Sequence, residues 1–206
     1  MCIFVMEQNY VVDFYNNNSK SFDSTRYLPW PIVKSFVESV RKDSTICDVG
    51  CGNGKNQFRK DIKWTSCDNS VEMCKIVNDA QLCDCTSLPY KNEDFDHAIC
   101  IAVIHHLSTE TKRKLAINEL IRITKPGGKI LILVWALEQE SDSRRKFVEQ
   151  ENFVDWRDKS KRLLGKRYYY VFRKDELEEL IINDPRVKII KSFYEKGNHG
   201  VILEKV

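Results

Sequence analysis

The sequence predicts an α/β fold built on one open, mostly parallel sheet with helices on both faces. Apolar, β-branched runs alternate with helical stretches from residue 45 to residue 135, the pattern of βαβ units and hence of a parallel sheet. Three of these runs end in a carboxylate, Asp48, Asp68 and Asp84, and the first breaks at once into Gly50-x-Gly52-x-Gly54. Polar groups gathered at strand ends mark the crevice of a doubly wound sheet. The chain then closes with two alternating runs, Val187–Tyr194 and Gly200–Glu204, joined by Glu195-Lys-Gly-Asn198, a hairpin placed to close one sheet edge.

At 206 residues the chain fits a single domain over 1–206 with one core. Residues 1–24 are expected to form an N-terminal arm and residues 138–166 a charged insertion. The net charge of +3 neither demands nor excludes an acidic partner. No apolar run has bilayer-spanning length, and the opening Met-Cys-Ile-Phe-Val-Met is followed by Glu7 without a basic flank or cleavage site. A soluble cytoplasmic protein, also nuclear as an alternative, with no membrane partner is expected. Of eight cysteines, Cys47, Cys67, Cys83 and Cys100 fall in or beside candidate strands, where a reduced thiol behaves as a small hydrophobe. Cys83-Asp-Cys85 with Cys47 and Cys51 lacks the paired two-residue spacing of zinc knuckles, so no metal is expected.

Taken in order, residues 1–22 are Asn-rich, with Phe14, Tyr15 and Phe22 suited to packing over a neighbour; they read as an arm or a short helix. Pro31 sits at a helix start, and Ile32, Val33, Phe36, Val37 and Val40 keep an apolar stripe at helical spacing. The strand at Thr45 feeds the glycine loop. A short helix over Asn56–Lys60 and a strand near Ile62–Cys67 follow. Asp68-Asn-Ser70 suits the N-cap of a helix over Val71–Asn78. Further strands are expected at Ala80–Cys83 and Phe95–Ile101, then a helix over Thr109–Ile123 capped by Thr109 or Ser108, with Leu115, Leu120 and Ile121 inward. Lys125-Pro-Gly-Gly128 ends it and starts the strand Lys129–Trp135. Residues 138–166 lack apolar periodicity and read as loop with a helix near Arg144–Glu151. Arg167–Arg173 alternates as an extended segment, and Asp175–Ile182 is helical up to Asp184-Pro185.

The glycines allow close approach of a ligand to backbone N–H groups. A nicotinamide fingerprint would place a further glycine where Lys55 stands, so that pattern fails. An acid directly before the glycines suits a ligand cation such as the amino group of S-adenosylmethionine. Asp68, twenty residues beyond Asp48, is placed for ribose hydroxyls. Asp84 suits the exocyclic amine of an adenine, with the backbone N–H that follows reading a ring nitrogen. An ordinary strand-to-helix turn and a plain helix cap are the structural alternatives.

The Asp48 strand, the glycine loop, Asp68, Asp84 and the terminal hairpin together resemble class I S-adenosylmethionine-dependent methyltransferases, over about residues 25–205. The resemblance implies a Rossmann-like, seven-stranded, mostly parallel sheet with an antiparallel C-terminal hairpin strand. Thr25-Arg-Tyr-x-x-Trp-Pro31, Asp48-Val-Gly-Cys-Gly-Asn-Gly-Lys55, Ile101-Ala-Val-Ile-His-His106, Val134-Trp-Ala-Leu-Glu-Gln139 and Arg167-Tyr-Tyr look like the tRNA wobble-uridine carboxymethyl methyltransferases. That family methylates the carboxylate of 5-carboxymethyluridine, leaving S-adenosylhomocysteine. The implied cofactor residues are Asp48, Gly50, Cys51, Gly52, Gly54, Asp68, Asn69, Asp84, Cys85 and Ile101. The implied catalytic residues are Arg26, His105, His106, Trp135, Arg167 and Tyr168. Implied partners are the tRNA anticodon loop and a small zinc-binding activator subunit in a heterodimer, adding a strand beside Ala80–Cys83; no DNA is implied. Two positions depart from the family: Tyr170 stands where a histidine is usual, and His199 where a tryptophan is.

A carboxylate acceptor is already ionised at neutral pH, so methyl transfer to it needs no general base and rests on alignment and water exclusion. Arg26 offers a rigid fork for the acceptor carboxylate or a phosphate, or else pairs with Asp23. One of His105 and His106 donates a hydrogen bond to the acceptor while the other is structural. From Trp156 to Lys174, Arg157, Lys159, Lys161, Arg162, Lys166, Arg167, Arg173 and Lys174 interleave with Tyr168, Tyr169, Tyr170 and Phe172. Such a cluster suits RNA phosphates and unpaired bases, or a solvated loop beside a core strand. A small-molecule methyltransferase and a methyltransferase-like binding subunit are the other functional readings.

Overall fold

The computed structural model describes residues 3–25, 27–158 and 160–206. From Ile3 the N-terminal segment is helical, α1 (Ile3–Glu7), a π-helical turn (Gln8–Val12) and α2 (Asp13–Asp23), with a kink at Asn18 where φ is -123°. Its polar composition gives little intrinsic helix stability, so the helix rests on tertiary contacts, chiefly buried Val11 and Phe14. Helix α3 (Pro31–Ser39) starts on Pro31 and buries Val33, Phe36 and Val37.

Strands β1 (Thr45–Val49), β2 (Lys63–Asp68), β3 (Gln81–Leu82), β4 (Phe95–Ile101) and β5 (Thr124–Trp135) are followed by β6 (Glu151–Arg157), β7 (Leu163–Tyr170), β8 (Val187–Tyr194) and β9 (Asn198–Lys205). The main sheet runs β3-β2-β1-β4-β5-β9-β8. Its first five strands are parallel, and β9 is antiparallel to both β5 and β8. The predicted seven-stranded sheet and closing hairpin are thus present.

Pleat alternation divides the core. Cys47, Val49, Cys67, Ala98, Cys100, Ile130 and Ile132 face α5 (Glu110–Ile123). Ile46, Ile99, Ile101, Leu131 and Leu133 face α3. The seven described cysteines are free thiols, and Cys47, Cys67 and Cys100 are buried as expected.

Several local expectations are corrected. No helix follows the glycine loop at 56–60, because the Gln57 side chain turns back under the loop to donate to Asp48 Oδ2 at 3.2 Å and Ser66 Oγ at 2.8 Å. Helix α4 (Val71–Cys74) is one turn long and does not reach Asn78, although Ser70 caps it by accepting from Met73 N at 3.2 Å. Strand β3 is only two residues long. On α5, capped by Thr109, Leu120 and Ile121 are buried, but Leu115 is exposed because the stripe of Ala116, Ile117, Leu120 and Ile121 is the one that meets the sheet. Strand β5 starts at Thr124, ahead of the Pro-Gly-Gly, with Gly127 taking φ +75°. Residues 144–150 form no helix, and Glu151–Arg157 pairs with Leu163–Tyr170 as a separate two-stranded sheet. Helix α6 (Glu176–Glu179) is shorter than 175–182, starting after Asp175 at φ +65°.

Candidate active site

A cavity of about 470 Å³ opens at the carboxyl ends of β1, β2 and β4, within the range of small-molecule sites. On one side it is lined by Gly50, Cys51, Gly52, Asp68, Asn69, Asp84, Cys85 and Ile101. Gly50 has φ +71°, and a Cβ there would lie 2.3 Å from Val103 Cγ2, so the loop tolerates no side chain at that position. Asp68 is nearly buried; its carboxylate accepts from Gly52 N at 2.9 Å and Ser70 N at 3.0 Å, and burial raises its pKa to about 6. Asp84 is exposed and closes an Asx turn by accepting from Thr86 N and Oγ1, both at 2.8 Å.

Asp48 and Gly54, which the sequence pattern placed against the ligand, do not line the cavity. Asp48 is fully buried beneath the glycine loop; its Oδ2 accepts from Gln57 while Oδ1 has no partner. Burial lifts its pKa to about 7 despite the Gln57 hydrogen bond. Gly54 takes φ +72° and its role is to turn the chain.

The opposite wall holds His105, His106, Trp135 and Arg167, all four from the predicted set, together with Tyr169 and Tyr15. His105 Nδ1 accepts from Trp135 N at 3.0 Å, which puts the ring proton on Nε2; burial, with His106 and Arg167 adding to it, keeps the imidazole neutral. His106 Nδ1–H donates to Tyr168 O at 2.7 Å, leaving Nε2 to accept from the Tyr15 hydroxyl at 3.0 Å. Burial brings its pKa down to about 3. Of the two histidines, His106 is therefore saturated by protein partners, and His105 keeps an Nε2–H with no protein partner among the described residues.

Trp135 lies flat on Tyr169, centroids 4.0 Å apart and planes 5° apart, with the Arg145 guanidinium 4.4 Å from its ring centroid. Arg167 is 4% exposed. Its guanidinium carbon sits 4.5 Å from the Trp156 centroid and 5.1 Å from that of Tyr169, and Nη1 donates to Tyr15 Oη at 3.4 Å. Its Nε is buried without a partner, and no carboxylate pairs with it among the described residues. A buried cation without a counter-charge is costly, and this one borders a cavity large enough for an anion to supply it.

Tyr168 is corrected as a site residue: it is fully buried off the cavity, with its hydroxyl 3.3 Å from Glu151. Strand alternation on β7 turns Arg167 and Tyr169 to the site and Tyr168 away. Arg26 lies outside the described residues, and Asp23, its suggested partner, accepts from Asn53 Nδ2 at 2.9 Å. The two departures from the family pattern also stand off the cavity. Tyr170 bonds Glu176 and Gln150 beneath the Arg113 guanidinium. His199 Nε2 meets Glu138 Oε2 at 2.9 Å.

Sequence reasoning gave residues 1–22 as a packing arm or short helix but did not place it over the cavity as a roof. Glu7, Gln8, Val11, Val12, Tyr15 and Phe22 line the cavity from the N-terminal helices. The signal was a one-face spacing, Gln8, Val11/Val12, Tyr15, hidden within a polar, Asn-rich stretch.

The sheet order with its reversed β9, and a glycine-loop crevice at the strand ends, define the class I methyltransferase fold. Residues 47–132 match the methyltransferase domain family. A SAM-dependent methyltransferase from Methanosarcina mazei superposes with TM-score 0.66 at 18% identity, over 87% of this chain and 99% of its own. In sequence, the chain is 36% identical over 224 residues to the tRNA (carboxymethyluridine(34)-5-O)-methyltransferase of Schizosaccharomyces pombe, covering 97% of both chains. It is 34% identical to the tRNA (carboxymethyluridine(34)-5-O)-methyltransferase alkbh8 of Xenopus tropicalis over 98% of this chain, which spans 41% of that protein. The chain belongs to the tRNA (carboxymethyluridine(34)-5-O)-methyltransferase family.

Proposed function

We propose that this chain transfers the methyl group of S-adenosylmethionine to the carboxylate of 5-carboxymethyluridine at the tRNA wobble position, giving the methyl ester and S-adenosylhomocysteine. The observation that carries this is Arg167, a buried cation facing the cavity with no carboxylate partner among the described residues, across from the glycine-loop wall. A carboxylate acceptor supplies the missing counter-charge, and a neutral metabolite does not.

The residues present fit the cofactor. Gly50 and Gly52 leave room where a Cβ would intrude on Val103 or approach the Phe22 ring. Asp68 stands at the strand tip for the ribose, Asp84 and Cys85 for the adenine, and the unpartnered Asp48 Oδ1 lies below the loop that would receive the charged amino end. The cofactor supplies an electrophilic methyl on sulfur. The protein aligns and desolvates the acceptor: Arg167 holds the carboxylate, the His105 Nε2–H donates to it or to the uracil, and the Trp135–Tyr169 stack bounds the ring. Ordered alignment of this kind contributes on the order of 7–11 kcal/mol. The N-terminal helices cover the cavity and keep water from the anion.

For the tRNA, the β6–β7 hairpin carries Arg157, Lys161, Arg162 and Lys166 towards its tip, and Phe153 on β6 is 43% exposed. Asp155 and Asp158 pair with part of this charge, leaving a net basic arm beside the site. For the activator subunit, the two sheet edges differ. β8 is interrupted by a register shift between Ile189 and Lys191 and carries exposed Lys188 and Lys191, devices that discourage strand pairing. β3 is an open edge whose Leu82 is 59% exposed, suited to an added strand.

Incubation with labelled cofactor and tRNA from a strain lacking the ester, with and without the activator subunit, tests the reading. Label in the wobble nucleoside, lost on mild alkaline ester hydrolysis, is the expected result. Labelling of a small metabolite with none in tRNA would replace the reading with a small-molecule enzyme.

A further inference from the structure

We infer that Tyr15 is a positioning residue of the acceptor site: its phenol fixes the Arg167 guanidinium on one side and the His106 imidazole on the other, so the site is incomplete without the N-terminal helix. This inference rests on Arg167 being the acceptor's counter-charge.

Three hydrogen bonds in series carry it. The Tyr168 carbonyl can only accept, so His106 Nδ1 carries the proton across their 2.7 Å contact. Nε2 is then a bare lone pair and must accept, and the Tyr15 hydroxyl donates to it at 3.0 Å. With its one proton committed, the Tyr15 oxygen has only lone pairs left, and these face Arg167 Nη1 at 3.4 Å. Every donor and acceptor along the line has one permitted direction. The guanidinium has no carboxylate to lock it among the described residues; the rings of Trp156, Tyr169, Phe14 and Trp135 around it hold it in place but offer its N–H groups no directed acceptor. The Tyr15 oxygen is the oriented partner.

The line also joins elements far apart in the chain: Tyr15 on α2, His106 in the 3₁₀ turn after β4, Arg167 and Tyr168 on β7. The Tyr15 ring is braced at the same time by edge contacts to Phe14, Phe22 and His106 at centroid distances of 5.5, 5.5 and 5.6 Å. Removing the hydroxyl alone therefore leaves the packing in place.

The test is Tyr15→Phe in the full chain. Expected on carboxymethyluridine tRNA are a fall in kcat of about tenfold, cofactor affinity within about twofold of the parent, and a thermal midpoint lowered by only about 2–4 °C for the one lone pair left unpaired. Combined with Arg167→Lys, Tyr15→Phe should add nothing, because the fork it orients is already gone. Activity within about twofold of the parent, an equal loss of cofactor binding and stability, or losses that multiply with Arg167→Lys would each overturn the inference. The imidazole gives a readout independent of turnover. In long-range ¹⁵N–¹H spectra of the parent, His106 Nε2 should resonate upfield of an unbonded pyridine-type nitrogen, and Tyr15→Phe should move it to the unbonded position. An unmoved resonance overturns the inference even in a chain that transfers no methyl group; absence of methyl transfer by the parent, with the resonance moving as expected, instead overturns the substrate reading alone.

Discussion

The two walls of the cavity are built in opposite ways. The glycine-loop wall comes from one contiguous stretch, Gly50 to Ile101, in which three parallel strand tips deliver Cys51, Asp68 and Asp84 side by side. The acceptor wall is gathered from five separate places: Tyr15 on α2, His105 and His106 after β4, Trp135 at the end of β5, Arg145 in the segment that follows, and Arg167 with Tyr169 on β7. The first wall is held by backbone geometry, with Gly52 N on Asp68 and Ser70 capping α4. The second is held through its side chains, by ring stacking and by hydrogen bonds that include those of His105 and His106 to the backbone of Trp135 and Tyr168. A wall made by backbone is intolerant of added bulk, whereas a wall made by side chains fails when one charge or hydroxyl is removed.

The largest expected effect therefore falls on the acceptor wall. Arg167→Met keeps most of the side chain's length and removes its charge. Loss of one partner from a buried charged pair costs about 3 kcal/mol, so single-turnover methyl transfer should fall about 100-fold. Cofactor affinity by calorimetry should stay within about twofold; a parallel loss of cofactor binding would show that the two walls are not separable.

On the glycine-loop wall the corresponding break is Gly50→Ala. The new Cβ meets Val103 Cγ2 at 2.3 Å at a φ of +71°, for an expected cost of about 2–3 kcal/mol in stability, cofactor affinity or both. Gly127→Ala is the control. Its φ is +75° but nothing lies within 4 Å of the added carbon, so only the left-handed backbone strain of about 1 kcal/mol applies, with cofactor affinity unchanged. Equal effects of the two substitutions on cofactor titrations would sink the close-approach argument.

The same contrast explains what could be read from the sequence. The mostly parallel sheet and the glycine-loop wall were legible because strand, turn and acid follow each other locally, and each has a short-range signature. The acceptor wall was legible only in pieces. Trp135 and Arg167 stood out by residue type, but the choice between Tyr168 and Tyr169 depends on which way β7 presents its pleat, and that is set by pairing with β6. The hairpin was hidden because the burial of β6 alternates but its residue types do not: apolar Phe153 faces outward with Glu151, Asp155 and Arg157, and polar Asn152 is among the residues facing inward. The N-terminal roof was hidden because its helix is stabilised by what it covers, not by its own composition. The missing helix after the glycine loop has a similar cause: Gln57 spends its side chain on Asp48 and Ser66.

An intermediate effect tests how Asp68 works. Its pKa of about 6, raised mainly by burial, means that its carboxylate, the proposed acceptor for the ribose hydroxyls, is about one-tenth populated at pH 5 and about nine-tenths at pH 7. Cofactor affinity should accordingly fall about tenfold from pH 7 to pH 5. In Asp68→Asn the pH-7 affinity should already be low and the slope across that window should flatten. A slope that persists in Asp68→Asn would transfer the titration to another group, with Asp48, at about 7, the first to examine.

The smallest effect tests the joint between the walls. Asn16 Oδ1 accepts from Ser70 Oγ at 2.7 Å and from Glu72 N at 3.3 Å, tying the helix that carries Tyr15 to the first turn of α4 on the cofactor side. Asn16→Ala removes a cap-like contact worth about 1 kcal/mol. Of the tethers that remain, Asp23 on Asn53 holds the far end of α2, and Tyr15 on His106 and Glu7 on Ser108 and Lys112 hold the acceptor side. The roof should therefore loosen along α2 only: faster amide exchange over residues 13–23 with exchange over 3–9 unchanged, and a fall in methyl transfer of no more than about fivefold. Uniformly faster exchange along the whole segment would mean that the helix is held as one body, and that the two walls share their roof and are not pinned to it separately.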